Sequence, residues 1–272
     1  MNAVNPGRKL ALAGQALLLI LLYLFLYFPI FYIMYLSFVE NTVWPFPPEY
    51  TLEHYINLLT LDNFHQGLVN SLIIGIGTGL LSTLFATMAA IGLLKYQSRW
   101  RGLLMIFYLA PLFVAHILIG ISSLIFNKAI LGLPGNLLSA IIANATYATA
   151  FAFLVIVAQL ARYDWRLDDV AMVFGATPAK TFREVTLPNI WPAIFGGFFV
   201  GFILAFNNLE ISFYNLGAIP TLPTIAWGTL RHGIKPELYA LASIVNAFIF
   251  LILIILYFLL KMGFLKLDIK DR

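Results

Sequence analysis

The amino-acid sequence predicts an all-α, polytopic membrane protein with six transmembrane helices. Of its 272 residues, 61% are hydrophobic and 10% are charged, whereas charged residues make up roughly a quarter of a soluble domain. Apolar runs recur along the chain, and each is long enough to cross a hydrocarbon core of about 30 Å as a helix. Strands are excluded as spanning elements, because these runs are too long and too uniformly apolar for a barrel, and an open sheet edge would leave backbone groups unpaired in lipid.

A single transmembrane domain over residues 1–272 accounts for all of the apolar runs. The six spans are predicted at 11–37, 69–94, 103–126, 137–161, 192–214 and 238–261. The first run follows a short basic N-terminus and has no small-residue cleavage signal. These features favour a retained span over a cleaved signal peptide.

The distribution of Lys and Arg predicts that both termini face the cytoplasm. The segments on the side of the termini hold 13 of these residues, and the segments on the opposite side hold three. Because positive charge is retained on the cytoplasmic side, the loop 162–191 is expected there as well. On the outer side, residues 51–59 are predicted to form a short interfacial helix, and the proline-containing segment 215–237 is predicted to be largely irregular.

The composition also argues against several kinds of site. With no cysteine and four scattered histidines, the sequence offers no catalytic cluster and no metal site, and no cofactor is expected. The basic residues lie at the ends of apolar runs, so no nucleic-acid partner is expected. Gly75 and Gly79, like Gly197 and Gly201, are interpreted as small residues at helix contacts. No Gly-x-x-x-x-Gly-Lys-Ser/Thr loop occurs, so the chain is predicted not to be an enzyme and to rely on a partner for any ATP hydrolysis.

The loop 162–191, between the fourth and fifth spans, is predicted to form two short helices. The first begins at Asp168 or Asp169, because a carboxylate suits a helix N-terminus. It ends at Gly175, the residue best able to adopt a left-handed C-terminal turn. Tyr163 and Trp165, just before this helix, are interpreted as anchors in the membrane interface.

The second loop helix has Thr177 as its N-cap and Pro178 at its first position, and it is predicted to end at Leu187-Pro188. Apolar side chains recur along both helices, at Ala171, Phe174, Phe182, Val185 and Leu187. Because these side chains lie outside the bilayer, they need a partner surface to cover them. The loop is therefore predicted to be a docking element.

This loop resembles the signature loop of ABC importer permeases, E-A-A-x-x-x-G-A-x-x-x-x-x-F-x-x-I-x-L-P. The matching pattern here is Asp169-Val170-Ala171-x-x-x-Gly175-Ala176-x-x-x-x-x-Phe182-x-x-Val185-x-Leu187-Pro188. Asp169, Val170 and Val185 replace Glu, Ala and Ile. The resemblance implies the type I ABC importer permease fold and a coupling helix that sits in a groove of the ATPase subunit. The docking residues that it implies are Asp169, Ala171, Gly175, Ala176, Phe182, Leu187 and Pro188.

The segment 206–244 resembles the second permease of spermidine/putrescine importers. The matching residues are Ile211-Ser212-Phe213, Leu222-Pro223, Gly233, Pro236-Glu237 and Ala240. The resemblance implies a bacterial inner-membrane permease that works with a second homologous permease, two cytoplasmic ATPase subunits and a periplasmic or lipid-anchored substrate-binding protein. It implies a polyamine as substrate, with opines, aminoalkylphosphonates and quaternary amines as alternatives.

Glu210 is the acidic residue that the sequence places within a predicted span. A charge inside a membrane is costly, so it needs a functional reason or a partner. Two interpretations remain open. The carboxylate faces the translocation path and contacts a cation, or it lies near the outer end of the fifth span, where it reaches water or pairs with Arg231 or Lys235.

Three further polar residues are candidates for the substrate pathway. Where the polyamine-type pattern has an acidic pair, this sequence has Asn207 and Asn208, which either hydrogen-bond a polar solute or join helices. His116, in the third span, either lines the path or bonds to a neighbouring helix.

Two other classes of protein are disfavoured. An ion-coupled secondary transporter would need interrupted half-helices and ionisable residues deep in several spans, and only Glu210 and His116 meet the second condition. An intramembrane enzyme would need a paired acid, a nucleophile or a metal cluster.

Overall fold

The computed structural model describes residues 6–42, 46–96 and 99–261, and the regular elements in these ranges are all helical. The predicted all-α class is therefore confirmed. The helices are α1 (Pro6–Leu36), α2 (Glu53–Leu59), α3 (Asp62–Lys95), α4 (Arg101–Leu109), α5 (His116–Ala129), α6 (Leu137–Leu160), α7 (Arg166–Val173), α8 (Pro178–Thr181), α9 (Leu187–Phe206), α10 (Glu210–Asn215), α11 (Leu222–Arg231) and α12 (Pro236–Lys261). A 3₁₀ segment (Ala110–Phe113) follows α4, and a π-helical segment (Phe182–Thr186) joins α8 to α9.

Long apolar helices dominate the described part of the chain. Five helical stretches are long and apolar enough to cross a membrane: Leu12–Leu36, Asp62–Lys95, Leu137–Leu160, Pro178–Phe206 and Pro236–Leu259. A sixth crossing arises if Arg101–Phe113 and His116–Ala129, which meet at an angle of 105°, form one broken span.

The third predicted span, 103–126, is divided by this bend. Pro111 lies in the 3₁₀ segment, and Val114 and Ala115 have extended backbones before α5 begins. Proline lacks an N–H and its ring crowds the preceding turn, which fits the change from α-helix to 3₁₀ helix at this point. The hydropathy of the segment is uniform and gives no sign of the break.

The fifth predicted span, 192–214, differs at both of its ends. It begins earlier, because α8, the π-helical segment and α9 form one continuous stretch, so the predicted end of the second loop helix at Leu187-Pro188 is wrong. The Leu187 N–H bonds the Phe182 carbonyl five residues back, and this wider turn accommodates the ring of Pro188. The span is then interrupted at residues 207–209 before α10.

The predicted short helix at 51–59 is present as α2. The segment 215–237, predicted to be largely irregular, instead contains the ten-residue helix α11. Its prolines explain the difference: Pro223 is the second residue of α11 and Pro236 is the first residue of α12. At those positions the missing N–H has no intrahelical role, so proline favours a helix start.

The chain forms two compact units. The first comprises Met1–Leu61 and Thr229–Leu251, and the second comprises Asp62–Gly228 and Ile252–Arg272. Within the first unit, the Tyr55 hydroxyl donates to Ser243 Oγ at 3.1 Å. The second unit contains all of the site candidates.

The core of the second unit is formed by α3, α6 and α9. Glycines allow α3 and α9 to approach closely: a Cβ on Gly79 would lie 3.0 Å from the Phe198 carbonyl oxygen, and one on Gly201 would lie 3.3 Å from the Gly79 Cα. A Cβ on Gly197 would contact Ile156 of α6 at 3.0 Å. These contacts agree with the role in helix packing that the sequence predicts for these glycines.

Candidate functional site

The first helix of the loop between α6 and α9 begins slightly earlier than predicted and ends where predicted. Asp164 Oδ1 accepts the Arg166 N–H at 3.0 Å, which starts α7 at Arg166. At the other end, the Ala176 N–H bonds the Ala171 carbonyl and the Gly175 N–H bonds the Met172 carbonyl. This is a Schellman motif, which requires a left-handed residue, and Gly175 has φ +89°.

Four residues, 174–177, separate α7 from the second loop helix, α8. Thr177 Oγ1 accepts the Lys180 N–H at 3.3 Å, and Pro178 occupies the first helical position. The predicted N-cap and first residue are therefore confirmed. The Schellman motif ends α7 and the Thr177 cap begins α8, so the two motifs together define the turn between these helices.

Apolar side chains of α7 and of the residue that follows it are exposed. Phe174 is 87% exposed and Val173 is 86% exposed, and Val170 and Leu167 are about half exposed. We call these four residues the exposed tip. Sequence reasoning singled out Val170 and Phe174 but missed Val173, which is an open position of the motif, and Leu167, which precedes the motif.

The docking residues implied by the signature loop fall into two groups. Asp169 and Gly175 are exposed and Ala171 and Ala176 are half-buried beside the tip. In contrast, Phe182 and Leu187 line an open apolar groove of about 650 Å³ along α3 and α9, together with Trp191. Pro188 is exposed at the start of α9. The motif therefore combines the surface beside the tip with residues that line a groove along α9.

Asp168 is the most heavily engaged carboxylate of the loop. It is 1% exposed, and it accepts hydrogen bonds from Lys95 Nζ (2.8 Å), the Tyr163 hydroxyl (2.7 Å) and Thr186 Oγ1 (3.0 Å). Burial acts to raise the pKa of this carboxyl, but the hydrogen bonds from Lys95, Tyr163 and Thr186 outweigh it, so the pKa lies below its ordinary value. Sequence reasoning considered Asp168 only as a helix start.

Tyr163 and Trp165 belong to the surroundings of this carboxylate. Burial and the hydrogen bond to Asp168 raise the pKa of the Tyr163 hydroxyl. The Trp165 ring packs edge-on against Tyr163 at 5.0 Å between centroids, and Lys95 Nζ lies 5.3 Å from the Trp165 ring centre. These contacts within the loop were not part of the interpretation of the two residues as interfacial anchors.

His116 and Glu210 are brought together at the two interruptions of the apolar spans. His116 is the first residue of α5, and Glu210 is the first residue of α10. His116 Nδ1 lies 3.8 Å from Glu210 Oε2, and the side chains are 36% and 54% exposed. The His116 ring also packs edge-on against Tyr147 at 4.3 Å. Sequence reasoning considered Arg231 or Lys235 as partners of Glu210 and did not pair it with His116.

The two asparagines make hydrogen bonds within their own segment. Asn208 is buried, and its Oδ1 accepts the Ile211 N–H at 2.8 Å, which caps α10. Asn207 is exposed, and its Nδ2 donates to the Ile203 carbonyl at 3.3 Å. The bond of Asn208 is structural, but it caps a helix and does not join two helices, which was the structural interpretation from the sequence.

A buried amide network, missed from the sequence, fixes α5, α6 and α10 around the His116–Glu210 pair. Asn127 Nδ2 donates to Ser139 Oγ (2.8 Å) and to Asn215 Oδ1 (3.1 Å), and Asn215 Nδ2 donates to the Gly120 carbonyl (3.1 Å). A Cβ on Gly120 would lie 3.1 Å from the Glu210 carbonyl oxygen. Buried, hydrogen-bonded amides favour one arrangement of helices, so this network positions the pair, although Asn127 Oδ1 is buried without a hydrogen-bond partner.

The described residues contain no group of three or more His, Asp or Glu side chains that could hold a metal ion. The loop has an exposed apolar surface beside the buried Asp168 carboxylate, and the interruptions hold a carboxylate and an imidazole that are partly exposed.

Comparisons with known proteins find similar transport proteins. The family described as "Binding-protein-dependent transport system inner membrane component" matches residues 82–262. The putrescine transport system permease protein PotI of Escherichia coli K12 is 31% identical over 242 residues, which cover 85% of each chain. The spermidine/putrescine transport system permease protein PotC of the same organism is 25% identical over 228 residues, which cover 82% of this chain and 84% of that protein.

A solved structure is also similar in fold. A chain of a bacterial ABC transporter involved in the import of the acidic polysaccharide alginate matches with a TM-score of 0.67 and 18% identity, covering 97% of this chain and all of that chain. At this level of identity the likeness concerns the fold alone.

Proposed function

The chain belongs to the family of inner membrane components of binding-protein-dependent transport systems, and from this premise we propose that it forms half of the translocation pathway of an ATP-driven importer for polyamines. It is a transport permease subunit of an ABC importer and not an enzyme. Interrupted helices occur at 114–115 and 207–209, a feature expected of a secondary transporter, but the family membership supports the importer.

The exposed tip of the loop is the observation that carries the ATP-driven part of the proposal. Four apolar side chains, two of them more than four-fifths exposed, stand on short helices that a Schellman motif and a threonine cap hold in place. An apolar patch of this kind marks a protein contact. We assign the contact to the ATPase subunit, with Asp169, Ala171, Gly175 and Ala176 beside the tip, and with Phe182, Leu187 and Pro188 supporting the start of α9.

The proposed partners follow from this assignment. A second homologous permease completes the pathway, two ATPase subunits bind the loops from the cytoplasm, and a periplasmic or lipid-anchored substrate-binding protein delivers the solute. Both termini and the loop 162–191 then lie in the cytoplasm, as the excess of Lys and Arg on that side predicts.

Glu210 supports the choice of a polyamine as substrate. Its carboxylate is about half exposed at the start of α10, beside His116, whose ring packs edge-on against Tyr147. Carboxylates and aromatic faces are the groups that attract ammonium ions. The similarity to permeases named for putrescine and spermidine transport points the same way.

Reconstitution of the full transporter tests the function. The permease pair, the ATPase and the binding protein are placed in liposomes, and uptake of labelled putrescine and spermidine is measured with and without internal ATP. We expect uptake only when ATP, ATPase and binding protein are all present. An opine, an aminoalkylphosphonate and a quaternary amine serve as competing substrates, and stronger uptake of any of them rejects the polyamine.

The exposed tip can be tested in the same preparation. Phe174→Ala is expected to lower substrate-stimulated ATP hydrolysis by about tenfold or more, as truncation of an interface anchor does. Phe113→Ala is the matched control, because Phe113 is 88% exposed but lies outside the loop. Equal effects of the two substitutions would contradict the assignment of the tip to the ATPase.

The absence of cysteine from the sequence allows a direct test of orientation. A single Phe174→Cys substitution is labelled with a membrane-impermeant maleimide in intact spheroplasts and in inverted vesicles of cells that lack the ATPase subunit. Labelling confined to inverted vesicles is expected, and labelling of intact spheroplasts would reject a cytoplasmic loop.

A further inference from the structure

The Asp168 carboxylate joins parts of the second unit that are far apart along the chain. Lys95, which donates to Asp168 Oδ2, is the last residue of α3 and lies 73 positions earlier. Tyr163 lies in the short segment after α6, and Thr186 is the last residue of the π-helical segment before α9. One carboxylate therefore contacts the ends of three long helical stretches.

Because the Asp168 carboxylate is buried, these contacts are needed to stabilise its charge. A charged group with 1% exposure is stable only when it is paired and its hydrogen-bonding capacity is filled. Asp168 meets both conditions, because one oxygen accepts from Lys95 and the other accepts from Tyr163 and Thr186. Movement of α7 away from any of the three elements would leave a buried charge incompletely paired, so α7 is held firmly in place.

A second ion pair in the same loop is exposed, in contrast to the buried carboxylate of Asp168. Lys180 Nζ and Glu184 Oε2 are 4.0 Å apart, and both side chains are 60% exposed. An exposed pair of this kind contributes little to stability. It lies within the helical stretch that continues into α9 and does not reach α3.

We propose that Asp168 is a positioning residue for energy coupling: it clamps the helix that carries the exposed tip to the ends of α3, α6 and α9, so that movement imposed on the tip moves these helices together. The inference rests on the proposed function of the tip as the ATPase contact. It adds α3 to the moving body, although α3 is not adjacent to the loop in sequence.

The position of α3 shows what this link would move. Residues of α3 and α9, among them Leu84, Met88 and Trp191, line the apolar groove of about 650 Å³. Without the clamp, α3 would follow the loop only through its packing against α6 and α9. With the clamp, α7 is also tied directly to α3, so both walls of this groove follow the tip.

The test compares variants in the assembled transporter by the ratio of polyamine molecules taken up to ATP hydrolysed. Asp168→Asn keeps the size of the side chain and removes its charge. We expect the ratio to fall by about tenfold, within the usual range of coupling between sites, while ATP hydrolysis continues. The matched control Glu184→Gln removes an exposed carboxylate from the same loop, and its ratio is expected to stay within about twofold of the wild type.

A purely structural role predicts a different result. In that case Asp168→Asn lowers the yield or the melting temperature of the complex, but the complexes that assemble keep the wild-type ratio, and this outcome overturns the proposal. A parallel loss of uptake and hydrolysis also leaves the ratio unchanged and overturns it.

Milder variants keep the test informative if Asp168→Asn does not assemble. Thr186→Val and Tyr163→Phe each remove one donor and leave the Lys95 pair in place. Each is expected to lower the ratio by about two- to fivefold, and unchanged ratios in both would reject the clamp. The wild-type complex separates the two proposals: lack of ATP-dependent uptake there contradicts the proposed function, whereas a coupled wild type with fully coupled variants contradicts only the clamp.

Discussion

Asp168 and Glu210 are two carboxylates in the first turn of short helices of the same unit, yet their surroundings are opposite. Asp168 is 1% exposed and accepts three hydrogen bonds of 3.0 Å or less. Glu210 is 54% exposed, and its ionic partner His116 lies 3.8 Å away. A carboxylate whose capacity is filled fixes geometry, and one whose capacity is open can receive a ligand. The comparison therefore separates Asp168, an acid that holds helices together and is called the mechanical acid here, from Glu210, an acid that can bind a ligand and is called the binding acid.

The largest effect is expected from removing the mechanical acid, Asp168. Asp168→Leu leaves Lys95 and two hydroxyls without their acceptor. We expect a loss of stability of about 3 kcal/mol, the lower end of the range for breaking a buried pair, because Lys95 is 34% exposed and can regain water. Thermal unfolding of the purified permease measures it. The exposed neighbour gives the control, since Asp169→Leu should change stability by only about 0.5 kcal/mol.

Removing the binding acid should affect transport and leave stability nearly unchanged. Glu210→Gln is expected to raise the polyamine concentration at half-maximal uptake by roughly tenfold to a hundredfold, which corresponds to the loss of one contact between charged groups. Titration of uptake in proteoliposomes measures the shift. Asp62→Asn, which removes a carboxylate from the first turn of α3, controls for the change in net charge. An unchanged titration for Glu210→Gln would remove Glu210 from the pathway.

A smaller effect is expected from loosening the helix that carries Glu210. Asn208→Ala removes the acceptor of the Ile211 N–H and should cost about 1 kcal/mol, as the loss of a helix cap does. Because Asn207 is exposed and bonds back to its own helix, Asn207→Ala should cost less. Unfolding of the two variants in one detergent compares them, and the reverse order would contradict the capping role.

The smallest expected effect is a change with pH in the stability that Asp168 contributes. The pKa of Asp168 is lower in the folded protein than its ordinary value, so the contribution of this group is fully present above an unfolded pKa of about 3.9. It is lost as the pH falls through the lower folded pKa, because the unfolded chain then binds the proton more readily. The stability gap between the wild type and Asp168→Asn should therefore narrow below about pH 4. A gap that widens there would contradict the lowered pKa.

Local chemistry explains what the sequence could predict. Gly175 marks the end of α7 because its left-handed backbone conformation is a property of one residue, and Thr177 with Pro178 marks the start of α8 for a similar reason. The spans were located because lipid requires long apolar runs wherever the chain crosses.

Features that depend on distant residues could not be predicted in the same way. The partner that neutralises Asp168 is Lys95, and sequence gives both only as polar residues at the ends of helices. The His116–Glu210 pair forms because two spans are interrupted at the same place, while hydropathy averages over windows longer than the breaks. Pro111 was the available signal for the first break, and Asn207-Asn208 for the second.

The π-helical segment 182–186 sets the direction in which each side chain of α9 points around the helix axis. One extra residue in a helical turn offsets the later side chains by about 100° around the axis. The close contacts of Gly197 with α6 and of Gly201 with α3 depend on this offset. Shortening the segment by one residue would turn both glycines away from their neighbours and present bulkier side chains in their place. The five residues just before α9 therefore decide which face of α9 packs inside the bundle.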